Sequence, residues 1–504
     1  MPPDVPIVFY FILKKILILL LTSDSLLLVC FSGRVILNRS VWEYHCSADG
    51  GKHMKKLFGD RHFLMKLAAI ALPLAMQSVI NMLVNLIDTI MVGRLGDIAL
   101  SSVNICSQFP YLYMTVFMGI TNAALVICSQ AWGNKRPDKV KVMVAFCFKL
   151  AAVINVIFFL LAFLLPSQIT SIYTNNAGII ETGGMYLKIL SVTLLFQSFS
   201  QIIVTLLRSA GVNRLGMITS LFACFANVFF NWVFIFGNLG APAMGVSGAA
   251  VGTVIARALE FLIAAGYLFI DQHLGFRFKD LFAGISREMR SDFIKLGMPG
   301  IISEVTGNLN VSAAAMITGR VSEYYIAANT IVHNIWTISS LFMFGIAMGS
   351  SVIIGHEIGA GETEKAKEFA DYLIHIAAFI GICAAILTQL IAPIITSFFE
   401  VSPQAKETAF ILKDAASICV FFLGMQFTLC KGILRGGGQA AAFTRIDLLT
   451  CWLVNIPAGF VTALVLHANP FWIYLSLRID YFIKTVWGLW KIKKTDWIIR
   501  LNVE

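Results

Sequence analysis

Asp88 is a carboxylate set among apolar residues, and the polar residues before it share its face. Gln77, Asn81, Asn85 and Asp88 fall at i, i+4, i+8 and i+11, a spacing that lines four polar groups along one side of a helix. Asn227 and Asn231, again four apart, and Thr253 interrupt other apolar runs. Together these residues offer a carboxylate, two amide oxygens and a hydroxyl. That set suits two chemistries: coordination of Na+, which prefers hard oxygens, or carriage of a proton on Asp88. The residue types leave both open, and Asn227, Asn231 and Thr253 can equally act as hydrogen-bonding glue between helices. A second acid, Glu304, has Asn308 and Ser312 along its face. It is a candidate for a second protonatable site, or for the counter-charge of a cationic ligand. Gln77, Asn81, Asn85, Asn308, Gln197 and Gln201 are candidates for lining a ligand cavity. Asp447 is expected to pair with Arg435 or Arg445.

The elements that must hold these residues are membrane helices. Apolar residues make up 58% of the 504 residues and charged residues 13%, against about 25% charged in soluble domains. Many apolar runs reach 20 residues, enough to cross a hydrocarbon core of about 30 Å. Backbone amides in lipid must be satisfied internally, and continuous runs without strict alternation select helices over a barrel. Twelve spans are expected, near 67–93, 99–128, 141–165, 186–207, 216–238, 245–270, 295–319, 325–355, 369–397, 408–430, 446–467 and 470–490. Asp88 then lies about six residues, or roughly 9 Å, inside the helix end at Arg94. A polar stripe on a lipid-facing surface would be very costly, so it must face protein or water.

Basic residues set the orientation. Lys135, Arg136, Lys139 and Lys141 share one side with Arg277, Lys279, Arg287, Arg290 and Lys295, with Lys365 and Lys367, with Lys431, Arg435 and Arg445, and with the basic tail at Lys491, Lys493 and Lys494. The opposite side holds Arg94, Lys188, Arg320, Lys406 and Lys413. Both ends of the twelve-span unit are therefore expected in the cytoplasm, with the chain multi-pass in the cell inner (plasma) membrane. The net charge of +10 expresses this bias and no nucleic-acid partner is expected. Residues 1–53 fit poorly: the apolar stretch 7–31 is interrupted by Lys14, Lys15 and Asp24. They read as a leader, with Met54 as the expected true start. The ten cysteines show no metal-type spacing and read as small apolar helix residues.

The chain also repeats itself. At a shift of 226, Pro73 meets Pro299, Gly93-Arg94 meets Gly319-Arg320, Gly119-Ile120 meets Gly345-Ile346, and Gly133 meets Gly359. At 227, Pro166 meets Pro393 and Leu207-Arg208 meets Leu434-Arg435. The expected fold is all-α: twelve transmembrane helices in two six-helix lobes, 54–270 and 293–504, joined by a linker at 271–292. Each half crosses an even number of times, so the repeats are parallel. Duplicated lobes facing one another are transporter architecture, with a ligand site between them.

Leu86-Ile87-Asp88-Thr89-Ile90-Met91-Val92-Gly93-Arg94-Leu95-Gly96 resembles the first-helix signature of the multidrug and toxic compound extrusion family. Gly297-Met298-Pro299 with Glu304, and Gly432-Ile433-Leu434-Arg435-Gly436-Gly437-Gly438, resemble later motifs of that family. The likeness covers residues 57–500. It implies two six-helix lobes and export of cationic amphiphiles in exchange for Na+ or H+. It also implies a coupling role for Asp88 in the N-terminal lobe. The family's fifth-helix motif often places Asp where this chain has Asn231, and its tenth-helix Asp has no counterpart in Gln426-Phe427-Thr428-Leu429-Cys430. The expected protein is a monomer whose partners are the lipid bilayer and small cationic or amphiphilic molecules, with H+ or Na+ as coupling ion and no other cofactor. No GxxxxGK[ST] loop or HExxH pair occurs, so neither an ATP-driven pump nor a metalloprotease is expected. The remaining alternatives are a lipid-precursor flippase of related fold and a non-transport membrane enzyme.

Overall fold

The computed structural model describes residues 57–272, 274–399 and 401–501; the leader 1–53, the expected start at Met54 and Lys55 lie outside them. The described residues up to Lys66 and those from Leu67 onward belong to two separate units. In the first, Asp60 Oδ1 accepts from Phe63 N at 2.8 Å and caps the start of a helix.

Among the described residues, twelve membrane-crossing helices follow and no strand forms. The N-terminal lobe comprises α1 (Arg61–Gly93), α2 (Asp97–Gly133), α3 (Pro137–Leu164), α4 (Ala177–Ser209), α5 (Leu215–Phe236) and α6 (Val246–Ile270). The C-terminal lobe begins with α7 (Arg287–Thr318), then α8 (Glu323–Gly359), α9 (Thr363–Ser397), α10 (Pro403–Leu434) and α11 (Ala440–Val465). It ends with α12, in two segments, Pro470–Ser476 and Ile479–Lys494. Ten of these helices are long and apolar enough to span a bilayer by themselves. The other two are α7, whose first turns are charged, and the broken α12.

Most helices run past the expected spans. The physical reason is local: capping and charge let helices continue into water. Ser286 caps α7 by accepting from Met289 N at 3.2 Å, and Ser322 caps α8 by accepting from Tyr325 N at 3.1 Å. Gly237, in the left-handed region at φ +74, ends α5. The segment after α6 is tied down, because Lys141 Nζ donates to the Gly275 carbonyl at 2.7 Å and Lys149 Nζ to the Ala283 carbonyl at 2.8 Å.

Three π-helical stretches were not legible in the spans. Phe427–Leu434 at the end of α10 is a π-helical stretch, and α11 carries two more, Thr450–Asn455 and Val461–Val465. Wider turns of this kind rotate the residues beyond them and are frequent at functional sites.

The lobes come into backbone contact at the end of the molecule that carries most of the basic residues. There the repeat becomes contact geometry. A Cβ on Gly133 would run into the carbonyl of His356, and a Cβ on Gly359 into the carbonyl of Gln130. Positions 130 and 356 are themselves 226 apart, so each lobe offers the other the same surface. The second pair behaves alike: Gly119 abuts Ile301, and Gly345 abuts Ala71 and Ala75. The C-terminal tail adds a strap across this end. Ile499 N donates to the Gly437 carbonyl at 2.8 Å. Gln130 on α2 donates to the Ile499 carbonyl at 3.2 Å and accepts from Leu501 N at 3.0 Å.

Gly359→Ala should therefore lower the Tm of the purified protein, on the order of 1–3 kcal/mol of overpacking. Gly93→Ala, where nothing lies within 4 Å of the added methyl, should leave Tm unchanged or raise it. Equal melting of the two variants would contradict the contact.

Candidate functional site

Asp88 sits on α1, and its neighbours come from α5 and α6. Asn231 Nδ2 donates to Asp88 Oδ1 through a short hydrogen bond and also to Asn227 Oδ1 at 3.3 Å. Asn227 Nδ2 donates to Thr253 Oγ1 at 3.2 Å, and Thr253 donates back to the Ala249 carbonyl at 2.9 Å. Four residues from three helices thus form one hydrogen-bonded chain. Its packing is tight because Gly252 leaves room for the Asn231 amide: a side chain there would strike Asn231 Oδ1. That oxygen is buried and has no hydrogen-bond partner among the described residues.

The chain borders a cavity of about 210 Å³, lined among others by Asn81, Asn85, Asp88, Gln197, Asn227 and Thr253. All of its lining residues belong to the N-terminal lobe. This cavity thus lies within a single bundle, apart from the ligand site expected between the lobes. Arg257 also reaches the cavity, but its Nη1 is engaged by Glu260 at 2.7 Å.

The other expected lining residues are dispersed. Gln77 does not line the cavity and donates to Ser220 Oγ, which does, at 3.2 Å. Gln201 is half-buried and does not line it. Asn308 lies where α2 meets α7, accepting from Tyr111 Oη and donating to Thr115 Oγ1, each at 3.0 Å. The structure therefore keeps Asn81, Asn85 and Gln197 with Asp88 and separates Gln77, Gln201 and Asn308 from it.

Glu304 has a different environment. Lys431 Nζ lies 3.2 Å and Arg435 Nη2 3.3 Å from its carboxylate oxygens. The π-helical end of α10 brings both cations to one acid. Glu304 is thus already neutralised, so it is not an open counter-charge for a cationic ligand in this conformation. Asp447 also departs from expectation. Its partner is neither Arg435 nor Arg445 but Lys484 on α12, at 2.5 Å, and it accepts from Ser303 Oγ at 2.7 Å. Lys484 also bonds Asp480 at 2.7 Å. Arg435 is taken by Glu304, which leaves Asp447 to the lysine. Sequence reasoning missed Lys431 and Lys484. The i, i+4 spacing of Lys431 and Arg435, and of Asp480 and Lys484, was the available signal.

A Na+ ion would find a carboxylate, two amide oxygens and a hydroxyl here. Taking it up requires the Asn231 amide to turn over, so that its unpartnered Oδ1 replaces the Nδ2 that faces Asp88. A proton on Asp88 needs no such turn. Among the described residues no group of three His, Cys, Asp or Glu side chains could hold a metal. The cysteines placed inside the spans are free; Cys106, Cys128 and Cys147 are buried, Cys224 half-buried and Cys383 exposed.

The family model named MatE matches residues 73–233 and 299–461, one match in each lobe. The chain belongs to the MatE family. As a MatE protein it is a membrane transporter and not an enzyme. It is 24% identical over 421 residues to "Probable multidrug resistance protein NorM" of Listeria innocua, covering 83% of this chain and 91% of that one. It is 26% identical over 402 residues to the protein of the same name from Thermotoga maritima, covering 79% and 85%. Its fold resembles a structure described as the outward-facing conformation of a multidrug resistance MATE family transporter of the MOP superfamily. That match has a TM-score of 0.77 at 17% identity and covers 88% of this chain and 98% of the other.

Removing one member of a buried charge cluster leaves the others unpaired, at about 3–5 kcal/mol. Glu304→Gln leaves two cations facing each other, whereas Lys431→Gln leaves the Glu304–Arg435 pair intact. The first should lower Tm more than the second in thermal melts of purified protein. The reverse order would mean that the three charges are not coupled in solution.

Proposed function

We propose that the protein is a secondary active antiporter that exports cationic or amphiphilic compounds, multidrug substrates among them, in exchange for H+ or Na+. The observation that carries this reading is the Asp88 cavity: an acid in the membrane-spanning part, held by the Asn231 amide and in no ion pair, beside an open space that Arg257 also lines. Such a carboxylate can accept a proton or coordinate Na+, with Asn227, Asn231 and Thr253 following its charge.

Alternating access fits the contact pattern. The lobes touch backbone to backbone at the basic end, so a gap between them is closed there, and the Asp88 cavity lies toward the opposite end. Coupling requires ion and substrate to favour different arrangements of the lobes. Ion uptake at Asp88 removes the acceptor that holds the Asn231 amide, which alters how α1 packs on α5. Glu304, clamped by Lys431 and Arg435, is the acid to release when the C-terminal lobe rearranges.

The lobes are proposed to span 54–270 and 293–504, around the segment 271–292. The basic end faces the cytoplasm, the protein resides in the plasma membrane, and it works as a monomer. The flippase reading calls for a large cavity lined by several free cations; here Lys431, Arg435 and Lys484 are each paired with an acid, which leaves Arg478 as a single cation in a C-terminal cavity.

Efflux of ethidium from membrane vesicles tests the proposal, driven first by an imposed proton gradient and then by a sodium gradient. Asp88→Asn should abolish gradient-driven efflux, a loss of at least tenfold, and Asn231→Ala should reduce it several-fold. Undiminished efflux in Asp88→Asn would remove Asp88 from the coupling step. The gradient that drives wild-type efflux identifies the ion.

A further inference from the structure

The two lobes carry pockets at equivalent places with opposite chemistry. Adding 226 to Val103, Ser107 and Pro110, which line the Asp88 cavity, gives Asn329, His333 and Trp336. These three line a cavity of about 300 Å³ in the C-terminal lobe. The same shift turns Asp88 into Ala314, which also lines it. The acid of one lobe is a methyl group in the other.

In its place the C-terminal cavity has a cation. Arg478 lies at the break between the two segments of α12 and reaches the cavity. Its guanidinium stacks over the Tyr474 ring at 3.7 Å. Among the described residues no carboxylate lies within ion-pair distance of it. Asp480, two residues on, is turned to Lys484 at 2.7 Å. Arg478 is also the residue before the first turn of Ile479–Lys494, where free backbone amides add partial positive charge.

The remaining walls mix three rings, His333, Trp336 and Tyr481, with small apolar residues and Asn and Thr side chains. His333 stacks with Trp336, ring centres 5.6 Å apart and planes 20° apart. Trp336 Nε1, which can only donate, is buried with no hydrogen-bond partner among the described residues. Asn310 Oδ1 is already taken by Asn455 at 2.9 Å.

An unpaired guanidinium, an unused indole N–H and flat rings define the complementary ligand. A carboxylate accepts two parallel N–H bonds from an arginine fork, and a planar ring stacks on aromatic walls. We propose that the C-terminal cavity binds the carboxylate of aromatic organic acids, so that zwitterionic aromatic compounds can use both lobes, cation toward Asp88 and anion toward Arg478. The transport consequence rests on the antiporter reading above; binding to the cavity does not.

Titration calorimetry of the full-length protein in detergent with 2-naphthoate tests the site, with ethidium as the cationic comparison. Saturable naphthoate binding is expected, at least tenfold weaker in Arg478→Gln and several-fold weaker in Trp336→Phe, which keeps the ring and removes the N–H. Ethidium affinity should change less than twofold in both variants, and Asp88→Asn should retain naphthoate binding. No saturable binding to wild type, or equal naphthoate affinity in Arg478→Gln, overturns the proposal. If Arg478→Gln does not elute as a folded species, Trp336→Phe decides: unchanged affinity overturns it. Failure of the antiporter reading would appear instead in the vesicle experiment on Asp88→Asn, with naphthoate binding intact.

Discussion

Backbone contact between the lobes is the constraint on which the arrangement rests. Gly133 and Gly359 each admit a carbonyl of the other lobe where any side chain would collide, and Gly119 and Gly345 repeat the device closer to the middle. Membrane helices gain little from hydrophobic burial against one another, so small residues and close approach must hold them. Because the paired contacts are related by the 226-residue repeat, the interface presents the same surface twice. Such an interface fixes the lobes at one end and lets chemistry diverge at the other.

The divergence is in how each intramembrane acid is compensated. In the N-terminal lobe Asp88 is held by an amide, and the neighbouring Arg257 is engaged by Glu260. In the C-terminal lobe Glu304 has two cations, and Asp447 and Asp480 share Lys484. Charge in a low-dielectric setting is stable only when matched. The C-terminal acids are matched by side chains of the protein. Asp88 is in no ion pair: an amide holds it, Arg257 only shares its cavity, and it is the acid most open to an ion from outside.

Much of this was legible in the sequence. Apolar run length located all twelve helices, because a bilayer demands length and the backbone demands helix. Pro and Gly at a constant offset exposed the duplication, and the i, i+4 spacing of Asn227 and Asn231 put them on one face, where Asp88 and Thr253 join them. What was not legible depended on rotation and on partner choice. The π-helical end of α10 turns Lys431 and Arg435 toward Glu304, and nothing in hydropathy marks a wider helical turn. The same limit explains Gln77 and Gln201: periodicity gives a face, but a face a hundred degrees wide can reach a cavity or a neighbouring helix. Asp447 went to Lys484 because the two-segment α12 delivers that lysine to α11, a contact between remote positions that no local spacing encodes.

The strap formed by residues 499–501 has its own implication. Its hydrogen bonds reach Gly437 in one lobe and Gln130 in the other, so it bridges the very seam that must part in the proposed cycle. In that proposed cycle a clasp of this kind would be undone and refastened once per turnover. Its unfastening would then set a kinetic floor, and the exchange of the Leu501 amide proton with solvent would be a clock for the cycle. Whatever captures the free tail, whether a neighbouring protein or a fused tag, would act as a brake or a wedge without touching either cavity.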